Sequence, residues 1–216
     1  MNKAIYKSLI LLTCIMLMAC QGGKGIAPLK ETGPKETVSK KTTVQDICLY
    51  LYDDFPIQKA RMLADALKAV YPSVSIQKEP IVLPKEHYNK ERNRYSGTGL
   101  LKDLSKLRKG NVVLGLTDEV IFKANELSPT YGIFGVSPVG AYVAVISSTL
   151  PSSKRQSNDH LVKLMMHELG HSFGLNHCSN QHCFMVDAEH GNKFSQTPSF
   201  CNECKAFLNN KGWKIK

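Results

Sequence analysis

The stretch HELGHSFGLNHC, residues 167–178, decides how this chain is read. It closes a longer segment, SNDHLVKLMMHELGHSFGL, in which Leu161, Val162, Met165, Met166, Leu169 and Phe173 recur at helical spacing. That pattern predicts a helix docked along one apolar stripe, with Asn158 or Asp159 capping its first turn. His167 and His171 are four residues apart, so they share one helical face, about 6 Å apart along the axis, where both imidazoles can meet one zinc ion. Glu168 lies about 100° round the helix and is placed to reach a water on that metal instead of binding the metal itself. Zinc brings such a water to a pKa of roughly 7, and a carboxylate can take its proton as it attacks a peptide carbonyl. Gly174 permits the left-handed backbone that ends a helix, so the chain can turn back and offer His177 as a third ligand. Three protein ligands leave a fourth position open, as a catalytic zinc requires.

The whole string is the HExxHxxGxxH signature of the metzincins. Cys178 follows at once, then Cys183-Phe184-Met185, then Cys201-Asn202-Glu203-Cys204. Over residues 167–204 this resembles the archaemetzincin family. The resemblance implies an α/β (α+β) metzincin-like fold: a mixed twisted sheet with packed helices, an active-site helix and a small zinc-stapled C-terminal lobe. It further implies two zinc ions, one catalytic on His167, His171 and His177 and one structural on Cys178, Cys183, Cys201 and Cys204. Glu168 would then be the general base and Met185 the Met-turn beneath the metal.

The cysteines also admit a reading of their own. An exported chain meets oxidising conditions, where Cys178 with Cys183 and Cys201 with Cys204 can pair as disulfides. Each such bridge closes a very small loop, whereas one zinc on four thiolates joins two distant segments, so the spacing favours zinc. One zinc neutralises half of four thiolate charges, and Lys193 and Lys205 are candidate cations for the remainder. His182 can replace a thiolate, although loop exposure is its ordinary behaviour, and His190 sits in a solvated turn. Cys48 reads as a small buried hydrophobe, and His87 and His160 have no partner near in sequence.

Working outward, MNKAIYKSLILLTCIMLMAC has a short basic start, an apolar run and Leu17-Met18-Ala19-Cys20, which resembles the lipobox of bacterial lipoproteins. Residues 1–19 are expected to be a signal peptide, with Cys20 lipidated and the chain exported and anchored to a bacterial membrane at a periplasmic or cell-surface face. Residues 20–43 lack apolar periodicity and read as a flexible tether reaching on the order of 25 Å. That leaves 44–216 as the catalytic domain. The net charge of +10 comes from scattered basic residues with no aromatic interleaving, so no nucleic-acid partner is expected.

Within that domain, VQDICLYLYDDF predicts a strand, IQKARMLADALKAVYP a helix, VSIQKEPIVLP an edge-like strand broken at Pro80, SGTGLLKDLSKLRKG a helix and NVVLGLTD a buried strand. Gly97-Thr98-Gly99 reads as a helix-entry turn, not a dinucleotide loop. IFGVSPVGAYVAVISS predicts two short strands around Ser137-Pro138, a hairpin at a sheet edge that borders the cleft. The expected function is a monomeric zinc metallopeptidase acting on peptides or proteins, and the resemblance implies aminopeptidase-like action on short peptides. The alternatives are a catalytically silent zinc-stabilised binding or scaffold lipoprotein, and a protein that captures metal at the cell surface.

Overall fold

Alternation of apolar side chains along three adjacent strands builds the centre of the molecule, seen here in a computed structural model that describes residues 45–53, 55–123, 131–149, 155–187 and 197–216. The principal sheet runs β2 (Val74–Ile76), β1 (Ile47–Leu51), β5 (Val112–Thr117), β9 (Val143–Ser147), β8 (Gly135–Val136). The first four strands are parallel, in a register that sets Ile47 beside Val112 and Val113 beside Val143, and β8 closes the edge antiparallel to β9. Ile47, Leu49, Leu51, Val112, Leu114, Leu116, Ala144 and Ile146 point to one face. Val113, Val143 and Val145 point to the other, as the two-residue period of a strand requires.

Helices cover both faces, the usual arrangement when a parallel sheet is buried on each side. On the first face lie α1 (Ile57–Lys68), through Ala60, Leu63, Ala64 and Leu67, and α3 (Asn158–Phe173), through Leu161, Leu164, Met165, Leu169 and Phe173. On the second lies α2 (Gly97–Lys106), whose Leu100, Leu101 and Leu104 are buried. The Ser96 side chain caps α2 by accepting from the Gly99 N–H, so the Gly-Thr-Gly run is indeed a helix entry. The cap of α3 is Ser157, whose hydroxyl accepts from the His160 N–H at 3.2 Å. This corrects the expectation of Asn158 or Asp159 by one or two positions: both are already helical, and Ser157 alone has the extended backbone of a cap.

A second sheet escapes the sequence pattern. Its order is β3 (Tyr88–Asn89), β4 (Arg94–Ser96), β6 (Ile121–Lys123), β7 (Tyr131–Ile133), mixed in direction. Its strands are two or three residues long, too short to show a period.

The C-terminal segment, which carries α4 (Asn202–Asn209) and runs on through Trp213, shares the main core. Trp213 stacks edge-on against Tyr71 of the segment after α1 and Phe173 of α3, and Phe200 bridges Trp213 to Phe184. The described residues all fall within one unit, Lys41–Lys216. No helix among them is long and apolar enough to cross a membrane. Cys20 and the expected signal and tether of residues 1–43 lie outside the described residues.

Candidate metal centres

Helix α3 ends in a way that fixes the site. Gly174 has φ +115°, the Gly174 N–H donates to the His171 carbonyl and the Leu175 N–H to the Gly170 carbonyl, both at 2.9 Å. These two bonds make a Schellman motif, which reverses the chain one residue past the helix. His177 thereby returns to the face that carries His167 and His171: the ring centroids are 4.6, 5.5 and 4.8 Å apart pairwise, and one nitrogen from each ring lies within 4.8 Å of the others. The loop before β9 is strapped to the same helix end, where the Gly140 and Tyr142 N–H groups donate to the His171 and Ser172 carbonyls.

Orientation of the rings is set by their outer nitrogens. His167 Nδ1 lies 2.6 Å from the Phe184 carbonyl and His171 Nδ1 2.8 Å from the Leu175 carbonyl, so each Nδ1 donates and each Nε2 keeps its lone pair for the interior. His177 Nδ1 faces an Asp187 carboxylate oxygen at 3.6 Å. Burial, together with the neighbouring His171, pushes His167 down to about 4, and burial also lowers His171. Both are therefore neutral at physiological pH, the state in which an imidazole binds a cation. Three imidazoles that each bring a nitrogen within 4.8 Å of the others are a donor set that fits zinc.

Glu168 sits beside this cluster, 6 % exposed, and no hydrogen bond or ion pair to its carboxylate is present among the described residues. Burial pushes its pKa up to about 8, against an opposing pull from the charge of Lys123 at the end of β6. Its side chain lies instead against the backbone of Gly135 on β8: a Cβ placed there would come within 2.8 Å of Glu168 Cγ and Oε1.

The second cluster joins two segments. Cys178, Cys183, Cys201 and Cys204 bring their sulfurs within 4.8 Å of one another, with Cys178 and Cys201 at 3.8 Å. Sulfurs each about 2.3 Å from a tetrahedral zinc are about 3.8 Å apart, so the spacing fits that ion. Cys178 and Cys201, one from each segment, are in direct contact, as a single four-sulfur site requires. Burial raises the thiols of Cys183 and Cys204. At Cys201 burial is outweighed by hydrogen bonds involving Cys204, Cys183 and Cys178, and its thiol is lowered. Backbone donors supply part of the compensation, for the Met185 and Cys201 N–H groups point at Cys183 Sγ at 3.4 and 3.3 Å. Lys205 Nζ donates to the Lys216 oxygen at 2.8 Å, and Lys193 lies outside the described residues.

Met185 links the two clusters. It is fully buried, and its Sδ fills the space that a Cβ on Gly170 would need. The preceding carbonyl, Phe184, is the one that orients His167. Sequence reasoning set the hairpin containing Gly135 at the cleft but missed the carbonyl partners, the contact of Asp187 with His177 and the approach of Gly135 to Glu168; a glycine at 170 inside a helix was a signal of close approach. His182 is exposed and stands outside the cluster, and His190 lies outside the described residues. His87, which has no partner near in sequence, pairs with Asp103 at 2.7 Å, because the fold brings α2 beside the short 3-10 turn Lys85–His87.

A helix carrying HExxHxxGxxH under a sheet with an antiparallel edge strand defines a zinc-dependent metallopeptidase of the metzincin kind. The sequence model of Peptidase family M54 matches residues 59–210. The archaemetzincin of Methanopyrus kandleri is 31 % identical over 140 residues, 62 % of this chain and 77 % of that protein. Its crystal structure superposes with a TM-score of 0.62 at 26 % identity, covering 81 % of this chain and 98 % of that one. The archaemetzincin of Archaeoglobus fulgidus, crystallised with malonate, gives 0.63 at 26 % identity over 76 % and 99 % of the two chains. The chain belongs to Peptidase family M54, the archaemetzincins.

Proposed function

We propose that this chain hydrolyses peptide bonds with a catalytic zinc on His167, His171 and His177 and with Glu168 as general base. The observation that carries the reading is the convergence of three imidazoles, two of them anchored by backbone carbonyls, beside a buried carboxylate without a hydrogen-bond or ion-pair partner among the described residues. Zinc in that position supplies Lewis acidity, polarising a carbonyl oxygen and acidifying water. Glu168 takes the proton of the attacking water at its carboxylate and returns it to the leaving amine. A carboxyl whose pKa is raised by burial suits both halves of that exchange. His171 and His167 stay neutral throughout, held by their carbonyl partners.

The second zinc, on Cys178, Cys183, Cys201 and Cys204, is structural and closes the C-terminal segment onto the Met185 turn. The substrates are peptides or proteins, with aminopeptidase-like action on short peptides as the form that the family resemblance favours. The lipobox-like sequence ending at Cys20 supports an exported, lipid-anchored monomer whose tether precedes a catalytic domain over residues 44–216. Replacing Cys20 by Ser is expected to move the protein from the membrane fraction to the soluble fraction.

The decisive variant is Glu168→Gln. It is expected to keep its zinc while cleavage of a quenched-fluorescence peptide library falls by about 10²–10⁴-fold. Full cleavage by that variant would remove Glu168 from the mechanism.

A further inference from the structure

We propose that Gly135 is a positioning residue for the reaction: its bare backbone is the surface that sets where the Glu168 carboxylate rests. This rests on the general-base reading of Glu168 given above.

A carboxylate that must meet a reacting water needs something to hold it, and Glu168 has no hydrogen-bonding partner among the described residues. Packing does the holding. A Cβ at 135 would stand 2.8 Å from Glu168 Cγ, 2.8 Å from Oε1 and 3.0 Å from Cδ, all well inside the roughly 3.5–4.0 Å of comfortable non-bonded carbon contact. The glycine is not explained by its backbone, because φ at 135 lies outside the left-handed region that the positive-φ glycines occupy. Any residue can adopt this strand conformation; only the neighbouring side chain excludes one.

Strand β8 also has little freedom to retreat. Gly135 and Val136 pair with Ile146 and Val145, and the Phe134 carbonyl accepts from the Ser147 N–H at 2.9 Å. On the opposite face Val136 is pressed against the first turn of α2, where a Cβ on Gly97 would approach Val136 Cγ1 to 3.1 Å. The strand is thus clamped between α2 and α3, and a methyl group at 135 must be accommodated by the Glu168 side chain. That displacement costs the fold little and the chemistry much.

The test uses the zinc-loaded protein with Gly135→Ala, Glu168→Asp and the double variant, assayed on the best-cleaved peptide of the quenched library. Gly135→Ala is expected to keep both zinc ions and an unchanged KM while kcat falls about tenfold or more, as small misplacements of a catalytic group do. Shortening the acid should relieve the crowding, so the double variant is expected to lose less than the product of the two single losses. A crystal structure of Gly135→Ala should show the Glu168 carboxylate moved and β8 in place. Full activity, losses that multiply, loss of zinc, or a displaced β8 beside an unmoved Glu168 would each overturn the proposal. An active Glu168→Gln would instead sink the general-base reading, while the crystallographic displacement would still be seen.

Discussion

His167 Nε2 and His171 Nε2 lie 3.1 Å apart, each on a ring whose other nitrogen is engaged by a backbone carbonyl. Two nitrogens each about 2.0–2.1 Å from a tetrahedral zinc are roughly 3.3 Å apart, so the helix presents the pair almost ready for the ion. His177 is the weaker member: its side chain is 43 % exposed and its anchor is the Asp187 carboxylate, not a buried carbonyl. Asp187→Asn is therefore expected to lower zinc affinity at this centre about 10–100-fold, the usual cost of losing a partner behind a metal ligand. Competition with a chelator measures it; an unchanged affinity would make the contact incidental.

The two clusters should not be independent. The Met185 N–H points at Cys183 Sγ, and the adjoining Phe184 carbonyl orients His167. Cys204→Ser should release the structural zinc and also weaken zinc binding at the histidines. Titration calorimetry on the variant checks this, and histidine affinity equal to that of the parent chain would contradict it.

Gly170→Ala separates helix propensity from packing. Alanine is the better helix former by about 1 kcal/mol, but its methyl group would collide with Met185 Sδ. Overpacking should win, with a net loss of about 1–3 kcal/mol in denaturant unfolding. A stabilised variant would mean that the Met185 side chain is free to move.

Asp46 gives a pH dependence. Burial works against its ionisation, but hydrogen bonds from Ser75, Cys48 and Ser73 outweigh it and hold its carboxyl below the usual range. The unfolded chain therefore takes up this proton first as pH falls. The stabilisation is complete above the ordinary aspartate pKa of about 3.9 and disappears as pH drops through the lower folded value. Asp46→Asn should flatten the acid side of the thermal midpoint against pH and leave its shape at neutral pH unchanged; parallel acid limbs for both proteins would contradict this.

Much of the site was legible because its spacing is local. Residues 167–177 lie on one helix and its cap, so the turn geometry of four and three residues already places the histidines together. The buried strands β1, β5 and β9 and the edge hairpin were readable from alternation and from Pro138. What stayed hidden depends on distant packing: the second sheet, whose strands are too short for a period, and the contact of Gly135 with Glu168, which exists only once β8 lies across α3. Ser157 was overlooked as a cap because two neighbouring residues are equally good cap formers, and only backbone conformation distinguishes them.

The most direct measurement is anomalous diffraction at the zinc edge on crystals of the protein. Two peaks are expected, one among the inner nitrogens of His167, His171 and His177 and one among the sulfurs of Cys178, Cys183, Cys201 and Cys204. Zinc-soaked crystals with no peak between the three imidazoles would contradict it.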